Sequence, residues 1–463
     1  MTGTVVNAVG GIVMCVDVGS TYTKAAAVSA DTGTLLGSAS HPTTLDTDVM
    51  DGLKAATEAA SPKGAGVVDT LVCSSAGGGL RLGVIGNEPL VTARAAYRAG
   101  LSAGARVVEV CAGDIGEADM ERLAGARPDV LLLAGGTDGG DETALLAHAE
   151  ALAAARLRAP VVFAGNAAAA VDVRRLLTSA GFELTCVDNV LPRIGSLDPV
   201  PARTALREVF LRHVIAGKHL SAQAGFTDMV KAATPDAVLT GIELLADMTG
   251  EDLLAVDVGG ATTDVYSVLT PDAEMSGPRA EVAGTAWRSR TVEGDLGVRH
   301  TATGIVEAAE AADLDVPTTL RDAARHRTEH PGFRAETEAE RTADAELSAL
   351  AATVAVGRHA RGERIGGPTE PLRGGKDLAA VKLVIGSGGV LRRDPESPQW
   401  LREAVCGHTA GGFRPPTAAR IVIDAAYALA PAGLMAANGH RTAAEALLRE
   451  TLLSSLMRFP FID

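Results

Sequence analysis

Val16–Asp17–Val18–Gly19–Ser20–Thr21–Tyr22–Thr23–Lys24 returns, about 240 residues later, as Val256–Asp257–Val258–Gly259–Gly260–Ala261–Thr262–Thr263–Asp264. Each copy is an apolar strand end carrying Asp, a glycine turn, and hydroxyl-rich residues that open the next strand. Glycine at such a turn lets backbone N–H groups close on phosphate oxygens where a Cβ would obstruct them, which makes Gly19, Gly259 and Gly260 the candidate cradle. Ser20, Thr21, Thr23, Thr262 and Thr263 offer further donors, and Lys24 offers charge to neutralise a phosphate. Mg²⁺ keeps several of its waters and is held through them, so Asp17 and Asp257 are the candidate metal residues. One copy alone reads more readily as an ordinary hairpin with a surface carboxylate. Two copies, each opening an α/β unit, read as two clasps on one phosphate chain.

Working outward, Ile12–Val18, Thr23–Ser29 and Thr34–Ser40 read as three consecutive strands with tight turns between them. A helical pattern over 46–60, a strand at Thr70–Ser74 and the glycine loop Gly77–Gly79 follow, so the first unit has a mixed sheet. Strands and helices then alternate strictly. Arg106–Cys111, Asp129–Ala134, Pro160–Ala164 and Glu183–Asp188 are strand runs, separated by helical segments at 116–124, 140–156 and 167–180. That is a parallel α/β module inserted into the first unit. Residues 202–232 read as helical, Leu253–Val258 and Thr263–Val268 open the second unit, and 417–429 and 441–457 read as terminal helices. The charged segment 326–346, with His326 and His330 one helical turn apart, reads as a solvated face, and 361–376 as an exposed loop. The expected division is 1–100, 101–195 for the inserted module, 196–245 for a helical connection, 246–404 and 405–463.

A third glycine element follows the buried strand Val381–Ile385. Gly386–Ser387–Gly388–Gly389 is a turn against which an adenine and ribose can lie flat. Leu391 breaks the GxGxxG dinucleotide pattern, and no GxxxxGK[ST] occurs, so neither a Rossmann fingerprint nor a P-loop is present.

Composition narrows the function classes. The chain has 463 residues, 47% hydrophobic and 21% charged, enough to build several cores. Its formal charge of −15 argues against general affinity for nucleic acid or acidic membranes. The five cysteines are dispersed, with no CxxC or zinc spacing, as expected of a reduced protein. No basic residue precedes Lys24, and no apolar run reaches the ~20 residues of a membrane span. The expectation is a cytoplasmic protein.

The order of two phosphate hairpins followed by a GxGG adenosine loop resembles the actin, sugar-kinase and Hsp70 ATPase superfamily. Thr234–Gly241 is similar to its first interdomain helix and Tyr427–Leu434 to its second. The resemblance implies two actin-like (ribonuclease H-like) ATPase domains around a nucleotide cleft, with a flavodoxin-like module inserted. It implies ATP and Mg²⁺ as ligands and Asp17 and Asp257 as catalytic carboxylates. Several of these families place an acid or amide where Thr234 stands here, which leaves Asp264 as the substitute for holding the attacking water. Within the superfamily the chain resembles the accessory (MutL-type) proteins of glutamate mutase, which are unrelated to the mismatch-repair protein of that name. The matching stretches are Cys73–Leu80, Leu133–Gly140 and Arg290–Gly297. This resemblance implies an ATP-dependent reactivating chaperone that exchanges damaged cobalamin on an adenosylcobalamin-dependent mutase, its partner protein.

The alternative is a small-molecule kinase, or an ATP-dependent hydrolase of the hydantoinase type, on the same fold. A kinase needs a carboxylate base for its substrate hydroxyl, and Asp114 or Asp295 are the candidates. The large insertion argues against a filament-forming actin relative, and the dispersed cysteines against an iron–sulfur dehydratase activator. The Gly135–Gly140 loop, between a strand and a helix, suits either an anion or a plain βα turn. No DxHxxG sequence is present to ligate cobalt. Cys406–Gly407–His408–Thr409–Ala410–Gly411 approaches it without the Asp, so direct cobalamin ligation is not expected.

Overall fold

The computed structural model describes residues 11–75, 80–155, 157–215, 221, 225–270, 287–361, 376–407 and 414–454. Within these, the strands form three five-stranded sheets. In the first, Ile12–Val18 is central, with Tyr22–Ser29 and then Leu35–Pro42 antiparallel on one side. Val67–Ser74 and then Val230–Ala233 run parallel on the other. In the second, Leu253–Val258 is central, with Thr263–Val268 and then Arg288–Glu293 antiparallel on one side. Leu383–Ser387 and then Arg420–Ile423 run parallel on the other. Numbered from its own central strand, each sheet has the order 3-2-1-4-5. The two halves thus share one topology, the duplicated ribonuclease H-like arrangement of actin-like ATPases.

Strand alternation decides which way each half faces. Ile12, Met14, Val16 and Val18 join an outer core, while Val13 and Cys15 join a core between the two sheets. The second sheet repeats this, with Leu254, Val256 and Val258 outward and Leu253 and Ala255 inward. Two helices fill the space between, Thr234–Thr249 and Leu429–Ala437. They cross backbone to backbone: a Cβ on Gly241 would lie 2.1 Å from the Leu429 carbonyl oxygen, and one on Gly433 1.9 Å from that of Ala237. No side chain fits at that crossing.

The third sheet is wholly parallel and has the chain order 2-1-3-4-5 of doubly wound flavodoxin-like sheets. Its first strand is Arg81–Gly86, which the sequence reading does not mark, because glycines at both Gly83 and Gly86 look like loop. Both are glycine for packing: a Cβ on Gly83 would meet Leu123 and Leu131, and one on Gly86 the backbone of Ala93. The sheet therefore begins 20 residues before the expected 101 boundary. It also shares a core with the first sheet, in which Leu82, Val84, Leu132 and Val162 pack with Val16 and Val72.

Two further readings are corrected. Among the described residues, the stretch expected to be helical over 202–232 has helix at Val200–Ile215 and Phe226–Met229, while Val230–Ala233 is an edge strand. The helix expected at 417–429 is instead the strand Arg420–Ile423, because the β-branched run Ile421–Val422–Ile423 pairs with Leu383–Ser387. The helix expected at 441–457 is present as Arg441–Leu448 continued by π-helical turns to Leu453, with 455–457 outside the described residues. Gly77–Gly79, most of 361–376 and His408–Gly411 lie outside the described residues. Among the described residues no helix is long and apolar enough to cross a membrane.

Candidate functional site

The two glycine turns are built alike. The Gly19 amide donates to the Tyr22 carbonyl at 3.1 Å, and the Gly259 amide to that of Thr262 at 2.9 Å. A Cβ at Gly19 or Gly259 would lie 2.7 or 2.9 Å from the same carbonyls, so neither turn admits a side chain. Each is braced from outside. Thr43 Oγ1 donates to the Gly19 carbonyl, and the Val298, Arg299 and His300 amides donate to the carbonyls of Gly259 and Gly260. Gly297 passes so close to Ala261 that a Cβ would sit 2.3 Å from its carbonyl carbon, which explains glycine at the end of the Arg290–Gly297 stretch.

Asp17 and Asp257 share the parity of the inward-facing residues, so both point into the cleft between the halves. The cleft encloses about 1120 Å³, more than the few hundred to ~1000 Å³ of an ordinary small-ligand pocket. Lys24 enters it from the next strand with Nζ 3.7 Å from Asp17 Oδ2. Asp17 is buried and accepts from Thr234 Oγ1 at 2.5 Å and from the Tyr427 hydroxyl at 3.1 Å. Burial pushes the Asp257 carboxyl up to about 6. Lys24 and a Ser387 hydrogen bond pull against that, while Asp264 and Asp17 add to it. Two carboxylates facing one cleft, one from each half, with Lys24 beside Asp17, are a fitting donor set for a hydrated divalent cation and a phosphate chain.

The same alternation removes two expected contacts. Thr23 and Thr263 face the outer cores and are fully buried. Thr23 shares a hydrogen bond with Thr43, and Thr263 donates to the Leu296 carbonyl at 2.6 Å, so both support the turns from behind. Ser20, Thr21 and Thr262 line the cleft as expected. Asp264 also lines it, but its carboxylate is already engaged. Oδ1 accepts from Arg290 Nε and Nη2 at 2.9 and 2.5 Å, and Oδ2 accepts from Thr262. Arg290 Nη1 is buried with no hydrogen-bond partner.

In the third element, Gly388 and Gly389 line the cleft. Gly386 does not. It is packed among Leu391, Leu401 and Ile423, each within 2.7 Å of where a Cβ would be. Gly388 has φ +117° and a Cβ there would meet the Val258 carbonyl oxygen at 2.1 Å, so a side chain at this position breaks the backbone rather than probing a ligand. Gly389 has open space at its Cβ.

Tyr427 carries a signal absent from any motif. It has φ +58°, rare for a bulky residue, and lies between the Lys24 ammonium, 3.5 Å from its ring centre, and the Arg392 guanidinium at 5.3 Å. Burial, with Asp17 and Asp257 nearby, raises its phenol well above the usual range, so it stays a donor to Asp17. Two residues from the module's side, Gly104 and Arg106, also line the cleft. Asp114 and Asp295 do not, and Asp295 is paired with Arg358 at 2.9 Å. His326 and His330 stack edge-on with ring centres 4.8 Å apart, and no group of metal-ligating side chains forms among the described residues.

Comparison with known proteins bears on the whole chain. Two solved structures resemble it at low identity. A glucokinase of the ROK family from Streptomyces griseus, bound to glucose and AMPPNP, has a TM-score of 0.34 and 12% identity over 95% of this chain and 100% of its own. Component A of (R)-2-hydroxyglutaryl-CoA dehydratase from Acidaminococcus fermentans has a TM-score of 0.27 and 8% identity over 95% and 97%. The curated Protein MutL of Clostridium tetanomorphum is 35% identical over 442 residues, covering 91% of this chain and 95% of that protein. The family profile described as MutL protein matches residues 13–452. This chain belongs to the MutL family.

Proposed function

We propose that this protein is an ATP-dependent reactivating chaperone that exchanges damaged cobalamin on an adenosylcobalamin-dependent mutase of the glutamate mutase type. The observation that carries the ATP half is the pair of like-built glycine turns, with Asp17 and Asp257 facing one cleft beside Lys24. The turn amides and Lys24 would hold the phosphates, and Gly388–Gly389 the adenosine. A magnesium ion held through its waters by Asp17 and Asp257 would offset phosphate charge. Asp17 is kept in place by Thr234 and Tyr427, each at the head of one interdomain helix, so the carboxylate and the pivot share residues. Asp264, tied to Arg290, suits holding a water in position better than taking its proton.

The partner half rests on membership of the MutL family and on the sequence resemblance to glutamate mutase accessory proteins. Neither Asp114 nor Asp295, the bases considered for the kinase alternative, lines the cleft. A closing ATPase shifts a partner only by its differential affinity for the partner's states, so the mutase holding inactive cobalamin must bind one lobe angle better than the other. The test is mutase activity after inactivation, with adenosylcobalamin, ATP and this protein added. Recovery that requires ATP hydrolysis is expected. Recovery without hydrolysis, or none with any cobalamin mutase of the host, overturns the proposal.

A further inference from the structure

Most charged residues of 326–346 are exposed, as expected, but the turn within the stretch also reaches the cleft. Pro331, Phe333 and Arg334, between the helices Thr318–Glu329 and Glu338–Arg361, line the cleft. The segment is mounted on the second glycine turn. The Arg299 amide donates to the Gly260 carbonyl at 2.9 Å, and its side-chain Nε to the Phe333 carbonyl at 3.1 Å. The Phe333 ring lies 5.0 Å from the Arg327 guanidinium and packs edge-on against His326. From this anchored base Arg334 reaches across to the other half and donates to the Tyr22 hydroxyl, with its guanidinium 5.7 Å from the ring centre. Tyr22 directly follows Gly19–Ser20–Thr21. The segment is thus tied to the second turn through Arg299 and to the residue after the first turn through Arg334.

Three arginines of the cleft are committed to carboxylates, whereas Arg334, like Arg106, Arg392 and Arg393, forms no ion pair among the described residues. Arg290 is paired with Asp264 at 2.5 Å, Arg299 with Asp344 at 2.7 Å and Arg341 with Glu338 at 2.8 Å. Among the described residues no carboxylate pairs with Arg334, whose partner is a phenol. A guanidinium fork binds phosphate oxygens bidentately and far more strongly than it binds a phenol.

Building on the ATP reading above, we infer that Arg334 recognises the terminal phosphate of a nucleoside triphosphate, exchanging the Tyr22 phenol for γ-phosphate oxygens. It is the specificity residue that separates triphosphate from diphosphate, and because it belongs to the second half while Tyr22 belongs to the first, that recognition favours closure. The experiment is calorimetric titration of the full chain with Mg²⁺ and either ADP or β,γ-imido-ATP. Arg334→Ala is expected to weaken the imido analogue at least tenfold and ADP by less than threefold. Arg334→Lys recovers part of the difference, since charge without the fork remains. Tyr22→Phe removes the resting partner and leaves analogue affinity equal or tighter. Equal losses for the two nucleotides in Arg334→Ala, or a Tyr22→Phe loss matching that of Arg334→Ala, overturn the inference and make the contact a clamp between halves. If the unaltered protein binds both nucleotides, those results judge Arg334 alone. If it binds neither, the ATP reading falls and this inference with it.

Discussion

Asp257 sets function against stability at a single residue. Its carboxyl is held up at about 6 by burial, against an ordinary value of 3.8. Below pH ~4 the group is neutral in folded and unfolded chains alike. Between there and about 6 the unfolded chain ionises first, so folding loses stability as pH rises. Above about 6 the folded chain carries a poorly solvated charge, and the loss levels off at no more than ~3 kcal/mol, the free energy of raising a carboxyl from 3.8 to about 6. Asp257→Asn should therefore raise Tm by a few °C at pH 8, a gain that fades toward pH 4, and should lower ATP hydrolysis at least tenfold. A Tm equal to the parent's at pH 8, or unimpaired hydrolysis, contradicts the assignment. The carboxylates were legible in the sequence because they recur in a local pattern. Which neighbouring hydroxyls face the cleft was not, although strand parity already separates Thr23 from Lys24 and Thr263 from Asp264.

At the scale of elements, the crossing of Thr234–Thr249 and Leu429–Ala437 is the joint between the halves. Gly433 sits where a Cβ would come 1.9 Å from a facing carbonyl, so any larger residue must push the helices apart. Gly433→Leu is expected to cost at least the roughly 1–3 kcal/mol usual for overpacking and to lower Tm accordingly. It should also weaken nucleotide binding, because the two turns no longer meet. Gly439→Ala, which lies beyond the helix end with open space at its Cβ but φ +88°, should cost only backbone strain and leave nucleotide affinity alone. Nucleotide affinity unchanged in Gly433→Leu would mean that the joint does not set the cleft. Both helix signatures could be read from their small residues, as could the hairpins and the four later strands of the parallel module. What escaped were elements defined by distant partners. Arg81–Gly86 looks like loop until the helix and strands around it explain its glycines, and Arg420–Ile423 lies in an alanine-rich context until Leu383–Ser387 pairs with it. The contact of Arg334 was hidden within an exposed charge run because its partner, Tyr22, is 312 residues away.

For the whole molecule, the shared core changes how the parallel module can be tested. Leu82, Val84, Leu132 and Val162 pack directly with residues of the first sheet, so excising the module would open that core and unfold the half it belongs to. Charge reversal on its outer face avoids this. Arg174 and Arg175 are exposed on the helix Ala170–Ser179, whose buried Val173 and Leu177 pack in a core separate from the shared one. Arg174→Glu with Arg175→Glu should leave basal ATP hydrolysis unchanged and reduce mutase rescue severalfold, as measured side by side. Rescue at the parent's level would move the partner contact off this helix. The fusion has a mechanical consequence as well. Because module and first sheet share one core, a turn of the first half about the helix crossing, taken as a fulcrum, would carry the module with it as a lever arm. A turn of ~15° at the fulcrum, of the size seen between subunits of switching proteins, sweeps a point ~30 Å out through an arc of roughly 8 Å. Under the proposed function, small angular work at the phosphates would thereby be delivered as travel at the tip.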